Sequence, residues 1–356
     1  MYDITTECLA VQDGILYAAG RELNVLFEIS LKDGRCTVLT DMPGEDCYQE
    51  RLYNGVCVED DILTLIPFNA QNVWLYNLSM KNWTKIDIGA YVDCRLNGKF
   101  VGGILKNKKL LLYGYKYSGI LEIDVDTQSV NKYPNSDACF KKKFWNQTYA
   151  MVGNKIYLTP LVEDEVLSFD ILSGESEKTY LGNISNVDEN SNCGITFDGD
   201  YFYIMKHHGN VIYKWLPGNE ALEPIQIDNF YNSKIPYFNG IVSIGKKLVL
   251  YSPKGKTYVY DTQNPEKSVI WEEKILYASY VPEYGLFVCK KGVIELYDES
   301  LNKISSYSTT VTADEHDNCI QNIELGYRIL KERNMIEVQD FISIILKQEK
   351  EDVIIH

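Results

Sequence analysis

The chain has 356 residues, more than one ordinary core organises, so it is either two domains or one architecture that grows by repetition. Its 45% apolar content is too high for a disordered chain, and its formal charge of −15 argues against nonspecific binding to nucleic acid or anionic membrane, which needs clustered Lys and Arg. Nine cysteines without a CxxC pair fit neither a disulfide framework nor zinc-ligand spacing, so we expect reduced thiols and no metal or other cofactor.

From the N-terminus, MYDITTECLAV lacks the basic and continuous apolar stretches of a secretion signal, and no later run approaches the roughly 18 apolar residues of a membrane span. A cytoplasmic location is the expectation. One unit then recurs: an apolar strand, a tight turn, an apolar strand, a loop, a third strand ending in an aromatic or aliphatic residue followed in most units by Asp or Asn, and a fourth strand. The last apolar residues of the third strands are Ile29, Tyr76, Ile123, Phe169, Trp215, Tyr260 and Tyr297, separated by 47, 47, 46, 46, 45 and 37 residues. The second strands are GILYAA, DILTLI, KLLLYG, KIYLTP, YFYIMK, KLVLYS and GLFVCK. Between first and second strands lie Asp13-Gly14, Asp60-Asp61, Gly153-Asn154, Asp198-Gly199 and Gly245-Lys246, residue types that tolerate the positive φ of a short hairpin turn.

A period in the forties with four short strands per unit is that of a propeller blade, whereas helical repeats of similar length would carry a 3.6-residue apolar pattern. The fold class is therefore all-β: a seven-bladed β-propeller of four-stranded antiparallel blades spanning 1–313, with blades at about 8–40, 53–88, 99–133, 147–181, 192–227, 238–273 and 276–308. Because the first blade starts at its innermost strand and the last supplies its outermost, closure needs no strand shared between the termini. From 314 to 356 the spacing of Ile320, Ile323 and Ile329, then Ile336, Phe341, Ile344 and Ile345, predicts a short amphipathic helical tail that packs on the propeller or docks a partner or second copy.

The second blade, ERLYNGVCVEDDILTLIPFNAQNVWLYNLSMKNWTKI, resembles a kelch repeat: Arg51 precedes the inner strand, Asp60-Asp61 forms the turn, and Trp83 follows Asn77 by six residues. LEIDVDTQ, LSFDILSG and YVYDTQNP repeat the outline in blades 3, 4 and 6. The double glycine that ends the second kelch strand is replaced by Ile66-Pro67, Thr159-Pro160 and Ser252-Pro253, so the chain resembles a divergent bacterial kelch-like propeller. The resemblance implies that Trp83 packs between blades. That family spans interaction modules, a sugar mutarotase and oxidases, and so does not choose a function.

Alternating strand direction places the loops entering each first strand on the same face as those joining second to third. The entry loops combine aromatics with Arg51, Arg95, Lys141, Lys142, Lys143 and Lys234, a set that suits a sugar, an anionic metabolite or an acidic peptide. The candidate ligand-binding residues are Arg51, Arg95, Lys141, Trp145, Asn146, His207, Tyr231 and Tyr237. Cys47, Cys94, Cys139 and Cys193 recur in these loops as small buried residues, too widely spaced around the ring to share an ion.

No nucleophile elbow, Walker loop, HExxH or paired-carboxylate motif is present. The reading is a noncatalytic module that binds a small polar ligand, such as a carbohydrate, or a segment of a partner protein at the channel mouth, without nucleic acid or membrane. One alternative is a propeller enzyme of mutarotase, lyase or cyclase type, with an acid or base among Arg51, Arg95, Glu50, Asp93 and His207. Another is a scaffold acting through the C-terminal helices.

Overall fold

Valine, isoleucine, leucine and tyrosine alternate along the strands so that successive side chains leave opposite faces, and a small sheet with two apolar faces is stable only when both are covered. The computed structural model describes residues 1–39, 45, 51–93, 95–133, 142–144, 149–162, 164–181, 192–207, 209–218, 222–227, 238–253, 255–271 and 273–315. It is a seven-bladed β-propeller. Seven four-stranded antiparallel sheets, each a contiguous meander, occupy 6–39, 53–86, 100–133, 150–180, 192–226, 240–271 and 277–308. Blade 1, for example, runs from Thr6–Gln12 at the axis through Ile15–Gly20 and Leu26–Ser30 to Cys36–Leu39 at the rim.

The cores lie between blades. Seven apolar clusters fill the seven junctions, and neighbouring residues on one strand serve opposite junctions. In blade 3, Leu110 and Leu112 pack toward blade 2, whereas Leu111 and Tyr113 pack toward blade 4. Trp83 of blade 2 is half-buried against the cluster it shares with Cys8, Tyr17 and Leu26 of blade 1, and its ring lies 4.6 Å from that of Tyr76. The place that the kelch resemblance implies for this tryptophan is where it stands.

A backbone stitch repeats on one face. The N–H of Arg51 donates to Arg21 O, Lys99 to Phe68 O, Phe144 to Gly114 O, Asn192 to Leu161 O, Phe238 to His207 O and Ile275 to Ser252 O, at 2.7–3.3 Å. Each bond ties the entry loop of one blade to the second-to-third-strand loop of the blade before it. At the seventh junction the direction reverses, and Gly292 N–H donates to Ile4 O. Tyr2–Asp3 also pairs antiparallel with Thr310–Val311, a two-stranded sheet outside the blades that holds the ends together.

Glycines set the bore. Gly102 pairs with Tyr113 beside a β-bulge, and a Cβ on it would lie 2.1 Å from the phenol oxygen; Gly240 pairs with Tyr251 in regular register, and a Cβ there would lie 2.3 Å from its phenol oxygen. The missing side chain lets a second-strand ring cross the first strand toward the axis. Ala313–Glu315 begins a helix whose Thr312 and Glu315 form a reciprocal capping box, with Glu315 N–H donating to Thr312 Oγ1 at 3.2 Å and Thr312 N–H to Glu315 Oε2 at 2.7 Å. The rest of the predicted helical tail lies outside the described residues. Among those described, no helix is long and apolar enough to cross a membrane.

Candidate functional site

The entry loops and the second-to-third-strand loops meet at one mouth of the axial channel, as strand alternation requires. A pocket of about 100 Å³ opens there among Glu7, Arg51, Asn54, Phe68, Tyr115 and Tyr277. Below it lies a channel cavity of about 300 Å³, bounded by the innermost strands of all seven blades and sharing Asn54 and Tyr277 with the mouth.

At the mouth, Glu7 is held by two arginines from different loops. Arg21 Nη1 lies 2.8 Å from Glu7 Oε1, and Arg51 Nη2 lies 2.5 Å from Oε2. Arg51 takes a left-handed backbone, φ 57°, which turns the chain so that its N–H reaches Arg21 O while its guanidinium lies 5.9 Å from the Phe68 ring centroid. Such a conformation is costly for a non-glycine residue and persists where surrounding contacts fix it. Two cations on one half-buried carboxylate fix its hydrogen-bond directions in advance.

The other predicted residues separate. Arg95 is 88% exposed, lines neither cavity, and folds back on Asp93, whose Oδ1 accepts its backbone N–H at 3.0 Å. His207 is 3% exposed: its Nδ1 donates to Phe238 O at 2.8 Å while its own carbonyl takes the stitch from Phe238 N–H. Its ring therefore fixes the junction of blades 5 and 6 from within. Lys141, Trp145, Asn146, Tyr231 and Tyr237 lie outside the described residues, as do Glu50 and the cysteines Cys47, Cys94 and Cys139. Cys193 is fully buried in the cluster between blades 5 and 6, and burial pushes its thiol far up. Among the described acid and base candidates, Arg51, Asp93, Arg95 and His207 do not converge on one point.

Two of the six entry-loop cations, Arg51 and Lys142, meet carboxylates of other elements, as does Lys206 beside them, while Lys141 and Lys234 lie outside the described residues. Arg51 meets Glu7, Lys142 meets Glu165 at 3.4 Å, and Lys206 meets Asp164 at 2.9 Å. A half-buried cation without a counter-charge is costly, and in these three pairs the carboxylate comes from another strand or loop, beyond the reach of local sequence reading. Glu7, Arg21, Asn54, Tyr115 and Tyr277 were not singled out from the sequence. The signal available was the polar residue interrupting an apolar inner strand: Glu7 within TECLAVQ and Asn54 within YNGVCVE.

Glu45 supports the mouth from outside it. Its buried carboxylate accepts the N–H groups of Gln71 and Asn72, the Asn72 amide and the Trp74 indole N–H at 2.6–3.1 Å, fixing the loop that carries Phe68.

No family model matches the chain, and no curated protein matches it. The fold, by contrast, is shared with many solved structures. The chain is similar to the computationally designed Ika8 protein (TM-score 0.56, 9% identity, 85% of this chain and 87% of that one) and to Hsv2 of Kluyveromyces lactis (0.55, 9%, 86% and 100%). It is also similar to PorZ, a surface component of the type-IX secretion system of Porphyromonas gingivalis (0.58, 13%), covering 87% of this chain but only 38% of that one. At these identities the likeness defines the class of fold, a β-propeller, and nothing finer.

Proposed function

We propose that the protein is a noncatalytic binding module that takes a small polar ligand, carbohydrate in class, at the mouth of its channel. The observation that carries this reading is the pre-paired Glu7–Arg21–Arg51 cluster set among the rings of Phe68, Tyr115 and Tyr277. Ring faces stack on the apolar face of a pyranose, while a fixed carboxylate, guanidinium and amide offer paired acceptors and donors to adjacent hydroxyls. Pre-paired charges suit hydroxyls better than a second full charge, which would have to displace an existing partner. The cytoplasmic location belongs to the same proposal, supported by Cys8, Cys57, Cys193 and Cys289, which serve as small packing or channel-lining side chains.

Titration calorimetry with a panel of neutral, amino and acidic mono- and disaccharides tests it. Arg51→Ala and Tyr115→Ala are each expected to weaken binding by at least about tenfold, 1.4 kcal/mol, while leaving the fold intact by circular dichroism. A panel without any binder, or binding indifferent to both substitutions, contradicts the proposal.

A further inference from the structure

The channel below the mouth differs from the rest of the molecule in one respect. Charged residues make up 24% of the chain, yet among the described residues no charged side chain lines the 300 Å³ cavity. Its polar groups include the Asn54 amide, the Cys57 thiol, the Tyr113 and Tyr277 phenols and the Thr196 and Ser243 hydroxyls. Burial holds both phenols well above the ordinary tyrosine range, so they stay neutral.

The backbone adds to this. Each innermost strand pairs on one side only, so its other edge turns N–H and C=O groups toward the axis. Some are met by side chains across a junction: Asn54 Nδ2 donates to Val101 O at 3.2 Å, Cys57 Sγ to Gly103 O at 3.4 Å, and Ser243 Oγ to Phe197 O at 2.6 Å. The wall is thus rich in hydrogen-bonding groups but poor in compensation for an ion, which would shed its hydration without gaining a counter-charge. The charges gather at the rim, on Glu7, Arg21 and Arg51. A volume near 300 Å³ lies at the lower end of the range for small-molecule sites.

We propose that the axial channel is a charge-excluding compartment that receives the uncharged, hydroxyl-bearing end of the ligand held at the mouth. The proposal rests on the mouth-binding reading for the ligand's identity, but the channel's selectivity is measurable without any ligand. Cys57 lines the channel and Cys36 is exposed at the rim of blade 1, so the two thiols compare channel with solvent in one molecule.

The test labels the full chain with three methanethiosulfonates of similar reach, carrying a 2-hydroxyethyl, a 2-sulfonatoethyl or a 2-(trimethylammonium)ethyl group, and follows Cys57 and Cys36 peptides by mass spectrometry, with Cys57→Ser as control. Relative to Cys36, Cys57 is expected to react with the hydroxyethyl reagent more than about tenfold faster than with either charged one. Equal ratios for all three reagents, or a Cys57 inert to all of them, overturns the proposal. A second arm fills the channel. Protein carrying the hydroxyethyl adduct on Cys57 is expected to lose at least about tenfold in affinity for any neutral saccharide found by calorimetry, while the labelled Cys57→Ser variant keeps it. Unchanged affinity of the adduct overturns the channel's part in binding and leaves the mouth reading standing. If no saccharide binds at all, the mouth reading falls and the labelling ratio still decides the channel.

Discussion

Glu295, on the third strand of blade 7, is 7% exposed and gathers Lys290 Nζ at 2.5 Å, Tyr297 Oη at 2.6 Å and Lys303 Nζ at 3.1 Å. Burial alone would raise its carboxyl; hydrogen bonds from these three groups outweigh it and hold the group down at about 2. A folded value below the unfolded one adds stability that is fully present above about pH 5 and is lost as pH falls toward 2. Glu295→Gln is therefore expected to cost on the order of 2–3 kcal/mol at neutral pH and to flatten the acid limb between pH 5 and 2, read by urea unfolding across that range. An acid limb identical to that of the parent protein contradicts the assignment. At this scale the sequence was least legible. Arg51 stood out from its loop, but Glu7 and Arg21, which decide whether it is a free cation, come from another blade. His207 looked like a loop residue open to a ligand, and the carbonyl that holds it, that of Phe238, is 31 positions away.

Strands and turns were far easier to read, because what defines them lies within a few residues. Period-two alternation and turn chemistry place the seven blades within a few residues of where they stand, and Asp13-Gly14, Asp60, Gly153, Gly199 and Gly245 carry positive φ as those residue types allow. The blade 3 turn escaped notice. Asn107 and Lys108 both take positive φ, 52° and 58°, in a hairpin whose lysine gives no hint of the conformation it must adopt. Glu59 of the neighbouring blade accepts both of their N–H groups at 2.8 Å, so contacts between blades override a poor local choice. Lys108→Gly keeps the backbone bonds and removes the left-handed strain at the loss of an exposed pair with Asp126. It is expected to raise stability by roughly 0.5–1 kcal/mol in chemical denaturation, net of the flexibility glycine adds to the unfolded chain. A destabilised variant would mean that the exposed pair outweighs the strain.

Across the whole molecule, stability resides in junctions rather than in blades: each sheet shares its two faces with its neighbours, so the seven clusters form a closed series without a capped end. The repeat was legible because every junction makes the same demand on sequence. The closing contact was not, since Tyr2–Asp3 and Thr310–Val311 are only two residues each and carry no strand pattern of their own. Mouth and channel exist only if blade 7 meets blade 1, and cross-linking that seam is the most direct check. Asp3 and Thr310 are register partners, so a chain carrying Asp3→Cys and Thr310→Cys is expected to form an intramolecular disulfide under mild oxidation, mapped by peptide mass, with unchanged circular dichroism and a higher melting temperature. Failure of those two cysteines to pair within one chain, or pairing only between chains, would contradict a closed ring.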